Sequence, residues 1–397
     1  MSGQMAFVWN NDLRKYDFGP GHALSPIRTK LAYELIRFCG LFDLPTVTLL
    51  EDFEQASDKD LLRVHSKAYV AAVKKASMGT EFIDPGHGLG TEDVPVFPGM
   101  HDAAALVAGG TLAAARAVYS GSVLHSLNIS GGLHHSHPEA ASGFCVYNDI
   151  GVAIAWLLDQ GVERIAYIDV DVHHGDGVQA IFYDNPNVLT VSLHESGKTL
   201  FPGTGPATDI GGRGARGSTV NLPLPAGTDD DEWLRAFDAV VPDVLRAFRP
   251  QILVTQQGCD THRNDPLGHL RLSIEGQRAS YLRLHALAHE LTAGRWVAVG
   301  GGGYDWLDVV PRAWTHLTAI VGGSPIDPEA AVPEDYRILL ESAFGTVAPL
   351  FMGDGVSLHP QPWSAGYDPL DHVDRAIAKV RDSVYPELGL VADLYSF

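Results

Sequence analysis

The stretch 165–177, IAYIDVDVHHGDG, constrains this chain more than any other. An apolar run there ends abruptly in aspartates and histidines. As a strand over 165–172 it would send alternate side chains to opposite faces. Asp169, Asp171 and His173 then share one side, and Ile168, Val170 and Val172 the other. The HGDG that follows forces a turn, so the polar cluster sits at the carboxyl end of the strand. Ligands bind at that end in open α/β sheets. Two carboxylates and an imidazole suit a divalent metal such as zinc. The plain alternative is a salt-bridged strand end, but unpaired ionisable groups are costly to bury there.

A rhythm of strand, polar loop and helix runs from residue 123 to about 321. Strands are expected over 6–9, 46–50, 123–129, 165–172, 188–193, 251–256 and 296–299. Helices are expected over 27–39, 101–119, 149–158, 230–248, 273–292 and 309–321, with one or two short helices over 58–77. Pro242 is expected to kink or break the helix that contains it. The alternation implies an α/β domain of three layers, with a mostly parallel sheet of about eight strands flanked by helices. Loops after parallel strands leave the same edge. The HH at 134–135, the cluster at 169–176, Asp260 and the GGGGY at 300–304 should therefore meet on one rim. The catalytic unit is expected to span 1–322. Residues 323–397 read as an extension packed on the same domain, with a terminal helix over 371–385.

The formal charge of −20 leaves no electrostatic footprint for nucleic acid or an anionic membrane. Cationic substrates or basic protein tails are the favoured partners. Eighteen histidines invite a search for metal or acid–base chemistry. Cys39, Cys145 and Cys259 are too few and too scattered for a disulfide framework or a Cys-based zinc site. The first residues carry no secretory pattern, and no apolar stretch is long enough to span a bilayer. A cytoplasmic location is the expectation.

Asp171, His173 and Asp260 would supply three metal ligands and leave one position open, as catalytic sites do. A metal held so acidifies bound water and polarises a carbonyl. His134 and His135 would need carboxylate partners, for which Asp169 and Asp176 are the natural candidates. Tyr304 follows four glycines and could donate its hydroxyl to a developing oxyanion. One such donor is typically worth ~3 kcal/mol. Together these parts suit metal-assisted amide hydrolysis. Taken singly, each has a simpler explanation. The HH pair could face solvent, Asp260 could cap a helix, GGGGY could be a tight turn or phosphate cradle, and Phe144 and Phe201 could be core.

Seven motifs carry a resemblance: GGLHH at 131–135, ASGFCVYNDI at 141–150, YIDVDVHHGDGV at 167–178, VSLH at 191–194, FPGTG at 201–205, QQGCD at 256–260 and GGGGY at 300–304. In that order they resemble the arginase–deacetylase superfamily, within it the zinc-dependent histone-deacetylase-like branch, and most of all bacterial acetoin-utilisation deacetylases. The resemblance implies Zn2+ or Fe2+ held by Asp171, His173 and Asp260, with His135 as general base and acid. His134, supported by Asp169, would be its electrostatic or proton-transfer partner, and Asp176 would orient His135. Tyr304 would polarise the acetyl carbonyl. Gly143, Phe144, Phe201, Leu267 and Gly302 match substrate positions along a narrow acyl-lysine tunnel, and Asp93 a carboxylate on its rim. Arg28 matches an internal-channel arginine. A structural K+ is implied near Asp169, Asp171, His173, Ser192 and Leu193. Ser136 and Cys259 depart from the commoner alanines of the family. The implied substrate is an acetylated protein or peptide, such as acetyl-CoA synthetase. An acetylpolyamine or other small-molecule amidohydrolase, a ureohydrolase with two manganese ions, and a non-catalytic acyl-lysine binder are the alternatives.

Overall fold

Valine, isoleucine and leucine dominate the strands because the sheet they form is covered on both faces. The computed structural model describes residues 5–79 and 81–392. Among them, eight strands make one sheet: β1 (Met5–Val8), β2 (Val47–Leu50), β3 (His125–Asn128), β4 (Ile165–Asp169), β5 (Val188–Glu195), β6 (Thr219–Leu224), β7 (Ile252–Gln256) and β8 (Trp296–Val299). Their order is β2-β1-β3-β8-β7-β4-β5-β6. Every pairing is parallel, so all eight strands run the same way. On one face the sheet packs against Trp233, Phe237, Leu284 and Trp314 from the helices Asp230–Phe248, Ile274–Thr292 and Val309–Val321. On the other it meets Val118, Ile150, Ile154 and Leu157 from Met100–Tyr119 and Asp149–Asp159.

The alternation expected over 165–172 holds, although β4 itself ends at Asp169. Ile168, Val170 and Val172 all enter one core cluster, while Ile165 and Tyr167 enter the other. The ladder stops because the next amides turn to carboxylates. Asp171 N donates to Asp169 Oδ1 (3.2 Å), Val172 N to Asp260 Oδ1 (2.8 Å) and His173 N to Asp171 Oδ1 (3.0 Å).

Among the strands and α-helices of the described residues, three were not expected from the sequence. β6 carries Pro223, which a strand tolerates at a sheet edge, and β6 is the edge strand. The helix Asp176–Phe182 starts inside the HGDG that reads as a turn. The helix Glu334–Phe344 lies beyond the strand–helix rhythm. One expectation is corrected: the helix Asp230–Phe248 runs unbroken through Pro242. A capping box between Asp229 and Glu232 secures its start, and Trp233, Phe237, Val240, Val241 and Val244 bury one face. That burial outweighs the roughly 3 kcal/mol that an internal proline costs.

The helix His372–Val384 buries Val373, Ile377, Val380 and Val384 in the main core. Val332, Tyr336, Leu340 and Met352 cover Leu31 and Leu35. Asp354 fastens this region. Its carboxylate accepts from Arg312 Nη1 (2.8 Å), lies 2.8 Å from His262 Nε2 and takes the Ile274 amide (3.1 Å). Burial pushes its pKa up, but His262 and Arg312 outweigh that and hold it below the usual carboxylate range. Asp354→Ala leaves Arg312 buried with a partner missing, and is expected to cost about 3 kcal/mol in urea denaturation. Because the folded pKa is depressed, the contribution of Asp354 is present above its unfolded value and fades as pH falls through the folded one. The gap between wild type and variant should therefore narrow in strong acid. Among the described residues, no helix is long and apolar enough to cross a membrane.

Candidate active site

The loop after β3 carries the histidine pair. Asp149 anchors it, accepting from Gly132 N (3.0 Å) and Leu133 N (2.8 Å). Asn148, one residue earlier, is the true cap of the helix Asp149–Asp159. Gly132 has φ +99°, and a Cβ there would sit 2.5 Å from Gly300 O, so only glycine lets the two loops meet. The HH pair does not face solvent; both imidazoles are buried. His134 Nδ1 lies 2.7 Å from Asp169 Oδ2 and His135 Nδ1 lies 2.6 Å from Asp176 Oδ1. Their Nε2 atoms are 3.1 Å apart.

That closeness splits the pair. Burial pulls both imidazoles down, but Asp169 and Asp171 outweigh it at His134 and raise its pKa to about 9. At His135 burial and the neighbouring His134 prevail, lowering it to about 4. The carboxylates therefore favour the charged ring at His134, while burial and His134 favour the neutral ring at His135. Asp176 is pushed up by burial, yet His135 and His137 hold it well below the carboxylate range.

Asp171, His173 and Asp260 bring one ligand atom each within 4.8 Å of the others. Asp260 caps no helix; the next helix is capped by Ser273. Each carboxylate has one oxygen fixed from outside and the other facing His173, and at Asp171 that facing oxygen also accepts the His173 amide. Asp171 Oδ2 accepts from Gln256 Nε2 (2.6 Å) and Gly302 N (2.7 Å), and Asp260 Oδ1 from Val172 N. Asp171 Oδ1 and Asp260 Oδ2 lie 3.0 and 3.1 Å from His173 Nδ1. Two carboxylates facing one imidazole in a buried spot fit a divalent cation, with the outer oxygens fixed as metal sites require. Gly302 lies against this pair. A Cβ at Gly302 would meet Asp260 Oδ2 at 1.8 Å and Asp171 Oδ2 at 2.9 Å. Gly302→Ala is expected to weaken metal affinity by roughly 10–100-fold. Chelator competition would measure this, and an unchanged affinity would contradict the cluster as the metal site.

Asp93, Phe144, Phe201, Leu267 and Tyr304 line a cavity with His135 and His173 at its floor. A second cavity continues past Gly302 to Arg28. Phe201 stands at the mouth, 46% exposed, with its ring 5.0 Å from that of His135. Phe144 stacks edge-on to Tyr304 at 5.9 Å. Asp93 Oδ2 accepts from Gly143 N (2.7 Å), and Gly143 leaves no room for a side chain beside His135. Arg28 donates through Nη1 to Gly301 O (2.7 Å) and Gly303 O (3.2 Å), bracing the glycine loop. Ser192 pairs in register with Asp169, and Leu193 follows it on β5. The Ser136 hydroxyl is turned away, to Val146 O (2.8 Å), and Cys259 is buried under Gly303.

The sequence did not single out Gln256, Asp149, His137 or Asp265 as site residues. His137 Nε2 is 3.0 Å from Asp176 Oδ2, and Asp265 accepts the Tyr304 amide at 2.7 Å. Gln256 had a signal: it ends β7 in register with Asp169, so it had to lie at the same rim.

The histone deacetylase domain model matches residues 22–321. The chain belongs to the histone deacetylase family. It is 41% identical over 356 residues to the acetoin utilization protein AcuC of Bacillus subtilis, covering 89% of this chain and 91% of that one. It is 38% identical over 327 residues to AcuC of Staphylococcus aureus (82% and 83% covered), and 37% over 337 residues to AcuC of Staphylococcus xylosus (84% and 86% covered). The histone deacetylase family and its AcuC members support a deacetylase, a hydrolase of acyl groups.

Proposed function

We propose that this deacetylase removes acetyl groups from lysine side chains of proteins or peptides, using a divalent metal. The observation that carries this is the divided histidine pair beside the Asp171–His173–Asp260 cluster, at the floor of an aromatic-walled cavity. Asp171, His173 and Asp260 would hold Zn2+ or Fe2+, which would supply Lewis-acid polarisation and an acidified water. His135, neutral and oriented by Asp176, takes the proton of the attacking water and returns it to the leaving lysine amine. His134 stays cationic against Asp169 and offsets the negative charge that builds at the carbonyl. The Tyr304 hydroxyl donates to the carbonyl oxygen as it gains charge. Phe144 and Phe201 flank a straight aliphatic chain, and Asp93 holds the substrate backbone outside. Asp169, Asp171, His173, Ser192 and Leu193 would hold a structural K+. Residues 1–322 form the catalytic unit and 323–397 an extension on it. Acetyl-CoA synthetase is the candidate protein substrate, and three free cysteines fit a cytoplasmic setting.

The test is a panel of acetyl-lysine peptides, acetylated acetyl-CoA synthetase and acetylated polyamines, run with zinc-loaded protein. Acetate release from the peptides is the expected result. Turnover of polyamines alone would reject a protein substrate, and binding of peptides without acetate release would reject catalysis.

A further inference from the structure

A second group of histidines lies at the opposite end of the sheet from the active site. His125 is the first residue of β3, whose far end leads to His134. His285 and His289 are four residues apart on the helix Ile274–Thr292, and so share a face. The rings gather at 5.1 Å (His125 to His285), 5.0 Å (His125 to His289) and 4.6 Å (His285 to His289) between centroids. One ring nitrogen from each lies within 4.8 Å of the other two.

The spacing is that of metal ligands. His285 Nε2 and His289 Nε2 are 3.1 Å apart. Two nitrogens bound to one tetrahedral zinc, each at about 2.0–2.1 Å, lie about 3.3 Å from each other. His125 is 1% exposed; among the described residues its Nδ1 makes no hydrogen bond, and the backbone of Gly294 and Leu124 lies beside its ring. A core histidine normally has both ring nitrogens engaged. Burial and the two neighbouring imidazoles lower the His125 pKa to about 4, and burial lowers that of His285. The side of Trp296 lies against His125 and His285, at 5.7 and 5.8 Å between centroids. His289 is exposed, so the cluster opens to solvent on its side.

We propose that His125, His285 and His289 form a second metal site, distinct from the catalytic cluster, that takes a borderline divalent ion such as zinc. An all-imidazole donor set selects such ions over Ca2+ and Mg2+, which prefer oxygen. Three protein ligands leave the fourth position to water on the open side. The ion ties the C-terminal half of the helix Ile274–Thr292 to the start of an interior strand.

The full-length protein is loaded with excess Zn2+, desalted, and its zinc counted per chain by mass spectrometry. Two zinc ions per chain are expected in the wild type and one in the His285→Ala/His289→Ala variant. The catalytic-ligand variant Asp260→Ala should retain one, and the combination of all three substitutions none. Added Zn2+ should also raise the melting temperature of the Asp260→Ala protein but not of the combined variant. Both helix histidines reach the surface, so circular dichroism of the double variant should match wild type. One zinc in the wild type, or two in the double variant, would overturn the proposal and leave a hydrogen-bonded histidine cluster. Because zinc is counted and not turnover, the outcome is independent of the substrate assigned above.

Discussion

His135→Ala is expected to lower kcat for an acetyl-lysine peptide by about 100- to 10,000-fold, the span of a lost general base. Zinc content should stay at the wild-type level, because His135 is not among the three converging ligands. His134 sits 3.1 Å away but is held as a cation by Asp169 and Asp171, so it cannot accept a proton near neutrality. His137 is bound to the far oxygen of Asp176 and is not among the cavity-lining residues. The sign of the acid limb follows. Burial and His134 lower His135 to about 4, so the base form prevails above that and kcat/KM falls as pH drops toward it. Asp176→Asn acts through His135 and should give a smaller loss, together with an altered acid limb. Retention of most of kcat in His135→Ala, with folding and zinc intact, would remove this residue from the mechanism.

The site was legible where the chain carries its own alternation. Ile168, Val170 and Val172 are apolar on one side, which fixes Asp169, Asp171 and His173 on the other even beyond the end of β4. The parallel rhythm then brings Asp260 and Tyr304 to the same rim, because every strand runs one way. What stayed hidden depends on tertiary context. Either Asn148 or Asp149 could cap the helix that follows; Asn148 does, which leaves Asp149 to bind the amides of Gly132 and Leu133 on a loop sixteen to seventeen residues earlier. β6 hides behind its proline because edge strands need no amide on their outer side. Pro242 reads as a break, but five buried apolar side chains on the same helix outweigh it. The His125 cluster could not be seen at all, since helix and strand are joined only by packing, 160 residues apart at the nearer pair (285 less 125).

Tyr304→Phe removes one oxygen and is expected to lower kcat about 100- to 1000-fold, the loss seen for one oxyanion donor. KM should change little, because the donor gains most when the carbonyl oxygen becomes negative. The ring itself remains, and with it the edge-on contact to Phe144. Among the described residues the phenol is positioned by its loop and not by a partner for its hydroxyl. Gly301 and Gly303 stand at φ +154° and +141°, a region that favours glycine, and Arg28 binds both of their carbonyls. Asp265 takes the Tyr304 amide, closing the loop from the other side. Burial, with Asp260 and Asp171 nearby, raises the phenol well above its usual pKa, so it keeps the proton it must donate. The two variants therefore fail at different points. His135→Ala loses proton transfer and its acid limb, whereas Tyr304→Phe loses charge stabilisation and keeps that limb. A Tyr304→Phe enzyme with wild-type kcat would leave the carbonyl oxygen without this donor and return the role to the metal cluster alone.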